Sequence, residues 1–253
     1  MGMDKIIIFL KSLLFSFLMI MISFPISVIF MVFWLIPNGR EKCDYAGALW
    51  TKFIVIPILK WTVNIKSQVE GLENFKKGKA YIIVGKHEST WDTMILHTFM
   101  KPVPVFILKR ELLKIPFFGW CLARASKIAI DRKGGASSIR KIIKEGKKYI
   151  AEGHSIVIFP QGTRVPYDSS TKNYRYKGGF IALIKEMGVD IIPMALNSGK
   201  LWGKKQFLKY PGTITMKFMK PIKYEEIKDM DKDEIIKKLE SIIEIECQKL
   251  NKL

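Results

Sequence analysis

The stretch His87-Glu88-Ser89-Thr90-Trp91-Asp92 offers an imidazole with a carboxylate five residues on. A neutral imidazole can take a proton from a substrate hydroxyl if its other ring nitrogen is held. Asp92 holds it if the residues between them begin a helix that brings the two side chains back together. That is the logic of a Ser-His-Asp triad in which the substrate's alcohol replaces the serine. Ser89, two residues from His87, is expected to point elsewhere. His97 and His154 have no comparable carboxylate and read as ordinary surface or core histidines.

Further along, Phe159-Pro160-Gln161-Gly162-Thr163-Arg164 offers a tight turn that ends in a fixed cation. Pro160 ends a strand, and Gly162 lets the backbone turn and approach a ligand. Arg164 presents a planar fork of donors suited to a phosphate dianion. Between the two blocks, Lys109-Arg110-Glu111-Leu112 runs into Pro116-Phe117-Phe118-Gly119. Lys109 and Arg110 follow a strand and supply further positive charge. Any one of the chain's 42 Lys and Arg side chains is by default a solvated surface charge. Cations at the ends of neighbouring strands, in the layer of His87, instead point to a phosphate site.

Elements must carry these blocks to one place. Short apolar runs alternate with helical patterns, which predicts an α/β fold, a mixed and mainly parallel sheet flanked by helices. The expected strands are Ala80–Val84, Val103–Leu108, Lys127–Ile130, Ser155–Phe159, Ile191–Leu196 and Thr213–Phe218. His87 then sits just beyond the carboxyl end of a strand, where such sheets place ligands. A helix is expected from about Ser137, with Ile139, Ile142, Ile143, Gly146, Tyr149 and Ile150 on one face and Gly153 at its stop. A closing helix follows Asp233. Residues 64–253 are expected to form one catalytic domain behind an anchor of residues 1–63.

That anchor begins with an uncharged run from Ser12 to Pro37, 26 residues dominated by Leu, Ile, Met, Phe and Val. As helix it measures roughly 39 Å, enough for a hydrocarbon core of about 30 Å. Pro25, flanked by Ser23 and Ser27, allows either one span or a kinked re-entrant hairpin. Residues 41–63 mix Leu49, Trp50, Phe53, Ile54, Ile56 and Trp61 with Lys42, Lys52 and Lys60. This suits a helix at the headgroup level, bent at Pro57, or else a core helix of the soluble domain.

The formal net charge of +19 over 253 residues implies an anionic partner, a lipid surface or a polyanionic substrate. Nucleic acid fits less well: the aromatic residues lie in apolar runs, and no finger-like Cys/His spacing occurs. Cys43, Cys121 and Cys247 are widely separated, which disfavours a disulfide framework or a metal site and suits a reducing compartment. The expected location is the cytoplasmic face of a membrane.

Taken in order, the blocks resemble those of the glycerolipid acyltransferases, in particular the 1-acylglycerol-3-phosphate type. The family's HxxxxD motif is matched by His87 and Asp92, its second motif by Lys109 to Gly119, and its FPEGTR motif by Phe159 to Arg164. Its fourth block, an apolar run with a central proline, is matched by Ile191-Ile192-Pro193-Met194-Ala195. The likeness covers roughly residues 64 to 220. It implies that His87 is a general base oriented by Asp92, and that Lys109, Arg110 and Arg164 bind the acceptor's phosphate. Gln161, Gly162 and Thr163 would form the substrate loop. It further implies acyl transfer from an acyl thioester, coenzyme A or acyl carrier protein, to lysophosphatidic acid, with no other cofactor and with membrane lipids as surroundings. The same chemistry on glycerol 3-phosphate or another lysolipid is the nearest alternative. A non-catalytic, membrane-tethered binder of anionic lipid is the more distant one. One departure stands out: Gln161 replaces the family's usual glutamate, keeping the length and a carbonyl acceptor but losing a charge.

Overall fold

Runs such as Ile82–Gly85 and Ile191–Leu196 carry almost nothing but apolar residues, the mark of strands buried on both faces of a parallel sheet. The computed structural model describes residues 3–32, 39–115, 118–125, 127–131 and 134–252. Its strands are β1 (Ile65–Glu70), β2 (Ile82–Gly85), β3 (Val105–Lys109), β4 (Lys127–Ile130), β5 (Ile156–Ile158), β6 (Ile191–Leu196) and β7 (Gly212–Phe218). They form one sheet in the order β1-β7-β6-β2-β5-β3-β4. All neighbours run parallel except β6 and β7. The mixed, mainly parallel sheet expected from the sequence is therefore present.

β1 was not among the expected strands. Its sequence, Ile-Lys-Ser-Gln-Val-Glu, buries Ile65 and leaves Lys66 and Gln68 exposed, as befits an edge strand paired on one side only. Such a strand lacks the apolar run that reveals the central ones. β3 begins two residues later and ends one residue later than expected, so Lys109 is the last residue of the strand rather than the first beyond it.

Helices cover both faces. On one side lie α6 (Gly135–Ala151), α7 (Gly179–Met187) and α9 (Lys232–Lys252), whose Ile142, Ile181, Ile184, Ile235, Leu239 and Ile243 are buried against the sheet. On the other lie α3 (Ile56–Val63) and α4 (Trp91–Phe99), contributing Leu59, Val63, Trp91, Ile95 and Leu96. The helix expected from Ser137 begins at Gly135, and Gly153, with φ of 84°, follows its end.

The N-terminal helix α1 (Met3–Val32) runs through Pro25 without a break. Within Met3–Val28 an 18-residue window reaches a mean hydropathy of 2.4, and most of the segment is exposed, as an anchor requires. It is not a free tether, however. Phe15 is buried edge-on against Trp202 of α8 (Ser198–Trp202), with ring centroids 5.3 Å apart, and the Ser12 hydroxyl accepts the Lys209 N–H at 2.9 Å. The Lys209 ammonium lies over the rings of Phe15, Trp202 and Phe207. Residues 33–38, on which the end of the expected apolar run falls, lie outside the described residues.

The second helical run, over residues 41–63, is in part a core helix and leaves its aromatic residues Phe53 and Trp61 outside. It comprises α2 (Gly39–Trp50), a π turn over Thr51–Val55, and α3. Pro57 lacks an N–H, and its ring crowds the carbonyl four residues back, so a widened turn just ahead of it keeps the helix continuous. Val55, Leu59 and Val63 enter the core, while Phe53 and Trp61 stay exposed, Trp61 at 84%.

Candidate active site

β6, β2, β5 and β3 are consecutive in the sheet and parallel. Their carboxyl ends therefore lie along one edge, and the four chains that leave it carry the candidate residues. β2 ends at Gly85, two residues before His87. β5 leads into Phe159–Arg164, β3 ends at Lys109, and β6 leads into Asn197 and Ser198.

After His87 the chain turns into α4, with Asp92 in its first turn. That turn folds the carboxylate back: Asp92 Oδ2 lies 2.8 Å from His87 Nδ1 and accepts the N–H groups of Glu88 at 2.8 Å and Ser89 at 2.9 Å. Its other oxygen, Oδ1, accepts the Ser198 hydroxyl at 2.5 Å. Asp92 is fully buried, and the four donors satisfy both oxygens. An ionised carboxylate only accepts, so the shared proton belongs to His87 Nδ1, which leaves Nε2 as an acceptor. The ring is held on its face as well, stacked on Phe159 at 4.1 Å between centroids and 17° between planes. Ser89 does point elsewhere: its hydroxyl is buried and accepts the Trp91 N–H.

His87 opens onto a cavity of about 720 Å³, inside the range of about 300–1,000 Å³ usual for ligand pockets. Most of its lining is apolar, from Ile107, Ile158, Phe159 and Phe180 near the strand ends to Ile26 and Trp50 of the N-terminal helices. Its cations include Lys109, Lys127, Arg164 and Lys177. Arg164 Nη1 donates to Thr90 Oγ1 at 2.5 Å, which fixes the guanidinium beside the His87 loop. Gly162, at φ of 69°, makes the turn that brings Arg164 round, and its backbone is part of the cavity wall.

The remaining expected residues fall less centrally. Arg110 opens a 3-10 turn, is exposed, and is not among the residues lining the cavity. Thr163 accepts a bond from Lys204 Nζ, again away from the lining. Gln161 is buried at 3% exposure beneath the loop, and its Oε1 has no hydrogen-bond partner. Pro116 and Phe117 of the second block lie outside the described residues. Of the other histidines, His154 is buried with Nδ1 bonded to the Val103 carbonyl. His97 faces the cavity, stacked on Phe106, and burial pulls its pKa down. Among the described residues no group of three or more His, Cys, Asp or Glu could hold a metal ion.

The family profile described as Acyltransferase matches residues 66–197, just over half of the 253-residue chain and all three blocks. The chain belongs to the acyltransferase family. Its relatives include a 1-acyl-sn-glycerol-3-phosphate acyltransferase of Pseudomonas aeruginosa, 38% identical over 175 residues, or 69% of this chain and 66% of that protein. A protein of the same name from Borreliella burgdorferi is 30% identical over 197 residues, 74% of this chain and 77% of that one. The chain spans a little under two thirds of the Pseudomonas protein and 54% of its Cocos nucifera relative. The crystal structure of the 1-acyl-sn-glycerophosphate acyltransferase of Thermotoga maritima shares the fold, with a TM-score of 0.75 at 23% identity over 98% of both chains.

Three features of this acyltransferase were not singled out from the sequence as site residues. Lys177 lines the cavity beside Gly162, and nothing in its local sequence marks it. Ser198 reaches Asp92, and its only sequence signal is its place just beyond an apolar strand. Glu88 is fully buried, with Oε2 accepting the Gly199 N–H at 2.9 Å. Burial pushes its carboxyl up to about 8 against the pull of Lys86, whose ammonium lies 3.6 Å from Glu88 and 3.2 Å from Glu244.

The burial of Gln161 sets an expectation for the family residue. Gln161→Glu should keep activity within roughly tenfold of the parent, because the side chain stands off the cavity lining. It should also place a carboxyl where burial raises its pKa. A raised folded-state pKa gives stability that is present in acid and lost as pH rises. The melting temperature of Gln161→Glu should therefore fall relative to the parent between pH 5 and pH 8. A constant difference across that range would show that the new carboxylate finds a partner.

Proposed function

We propose that this chain transfers an acyl group from an acyl thioester to the free hydroxyl of 1-acylglycerol 3-phosphate, giving phosphatidic acid. The observation that carries the reading is the His87–Asp92 contact at the head of an apolar cavity bordered by Arg164, Lys109 and Lys177. The acceptor's phosphate pairs with these cations, and its hydroxyl meets His87 Nε2. As the hydroxyl oxygen bonds to the thioester carbonyl carbon, its proton passes to Nε2. The tetrahedral adduct then collapses, the carbon–sulfur bond breaks, and the imidazolium returns the proton to the leaving thiolate. Asp92 balances the transient imidazolium and keeps the ring in the tautomer that can accept. The apolar lining suits acyl chains, and the names of the Pseudomonas and Borreliella relatives agree with the acceptor.

Thiol release tests this directly. Purified full-length protein, mixed with acyl-coenzyme A or acyl carrier protein thioester and a panel of acceptors, should release thiol fastest with lysophosphatidic acid. Faster release with glycerol 3-phosphate or an uncharged lysolipid would move the acceptor. No release with any acceptor would favour a binding protein.

The location follows from the substrate. A single-chain lipid stays in the bilayer, so the site must work at the membrane surface, and the reading places it on the cytoplasmic face. Leu10, Leu14, Phe17 and Met21 form an exposed stripe on α1 and are its lipid contacts in this reading. Apolar insertion withstands salt, whereas attraction of the basic surface is screened, with a Debye length of about 3 Å at 1 M. The parent should remain on membranes in 1 M salt. Leu14→Lys with Phe17→Lys, at about 2.5–3.5 kcal/mol for each lysine at the centre of a membrane helix, should shift it to the soluble fraction. Deleting residues 1–40 is a poorer test, since it also strips Phe15 from Trp202. A parent extracted by salt alone would defeat the claim.

A further inference from the structure

Asp92 is gripped from two directions. Three donors on Oδ2 come from its own loop, His87 and the Glu88 and Ser89 amides, while the donor on Oδ1 comes from Ser198, 106 residues away. A serine at the start of a helix ordinarily spends its hydroxyl on nearby backbone. Here α8 has no side-chain cap, and the fully buried Ser198 hydroxyl goes to Asp92.

The neighbours of Ser198 are themselves fixed. Asn197 is buried and crosslinks β7 to α9: its Nδ2 donates to the carbonyls of Thr213 and Leu250, and its Oδ1 accepts the Thr215 N–H at 2.8 Å. Gly199 donates its N–H to Glu88 Oε2 at 2.9 Å, and a Cβ added there would meet Glu88 Cβ at 2.9 Å. α8 therefore packs directly on the loop that carries His87. Leu201 is buried in the core on the same side of the sheet, and Trp202 packs on Phe15 of α1.

We infer that Ser198 is a positioning residue for the base: by holding Asp92 Oδ1 it fixes the rotation of the carboxylate so that Oδ2 stays on His87 Nδ1. The inference rests on the general-base reading proposed above. Without the hydroxyl, Oδ1 is left buried and unsatisfied, and the carboxylate gains from turning toward any other donor, away from the imidazole. Ser198 touches no substrate in this role. It acts on the chemical step through Asp92, and substrate binding does not depend on it.

Kinetics of the full-length protein in lipid vesicles containing lysophosphatidic acid, with acyl-coenzyme A as donor, test this. Ser198→Ala should lower kcat about 10- to 100-fold, the range of a hydrogen bond to a charged group, with acceptor KM within about twofold of the parent. Ser198→Cys keeps the shape but not the strong donor, so it should lose kcat similarly and guards against a variant that fails to fold. In an Asp92→Ala background Ser198→Ala should cost almost nothing more, since its partner is gone. A Ser198→Cys protein with parental kcat would overturn the inference. So would a loss of full size in the Asp92→Ala background, or a loss appearing in KM with kcat intact. His87→Ala runs in the same series. If it retains parental turnover, the general-base reading falls. If His87→Ala is inactive and Ser198→Cys is parental, the base stands and only the role of Ser198 falls.

Discussion

Replacing His87 by alanine is expected to lower turnover by at least 10²- to 10⁴-fold, the range of general-base catalysis, while the acceptor still binds. A glycerol hydroxyl is a poor nucleophile until a base withdraws its proton in the transition state. Nδ1 of His87 is committed to Asp92, and the ring is stacked on Phe159, so Nε2 is the nitrogen offered to the cavity. Asp92→Asn should lose most of the same factor. An amide presents donors as well as an acceptor, so it can hold the ring in the wrong tautomer, and it cannot balance an imidazolium. It must also face the Glu88 and Ser89 amides and the Ser198 hydroxyl, all of which donate to the carboxylate in the parent. If the two residues serve one step, as proposed, the double variant should be scarcely worse than His87→Ala alone. Losses that multiply independently, or near-parental turnover in His87→Ala, would break the pair as a catalytic unit.

Arg164→Ala should weaken the use of phosphorylated acceptors by about 2–4 kcal/mol, as when one partner of a hydrogen-bonded charge pair is truncated. At about 1.36 kcal/mol per tenfold this is roughly a 30- to 1,000-fold fall in kcat/KM. The guanidinium is tied to Thr90 on the His87 loop, so a phosphate held by Arg164 also sets how the hydroxyl meets the base. Arg164→Lys should rescue only in part, because a point charge replaces a planar fork. Lys109 and Lys177 border the same cavity and limit the loss by retaining some pull on the anion. Arg110, off the cavity lining, should be far more tolerant of substitution than Lys109. Unchanged kinetics with lysophosphatidic acid in Arg164→Ala would remove this residue from the site.

Much of this arrangement is legible in the chain because it depends on residues close together in sequence. The His87 to Asp92 spacing and the helical turn between them belong to one short segment, so the contact follows from local geometry. The central strands announce themselves as apolar runs, and a strand end followed by Pro160 and Gly162 announces a turn. Features with a mixed local signal read less well. β1 carries only two apolar residues, Ile65 and Val69, at a sheet edge, and its partner β7 lies far along the chain. Residues 41–63 carry the residues of an interfacial helix and of a core helix at once, because one helix buries Leu59 and exposes Trp61.

The types and order of the groups are written along the chain: a histidine with its aspartate, cations after strands, an apolar helix ahead of an α/β domain. Which of them meet is a matter of how distant segments pack. Strand order in the sheet depends on long-range pairing, and that order places β6 beside β2 and brings Ser198 to Asp92 and Gly199 to Glu88. It also placed Lys177 in the cavity wall, left Arg110 outside it, and buried Gln161. Side chains of one type and similar neighbours separate in this way because burial and partnership are set by packing between distant segments, and no window along the chain contains both sides of such a contact.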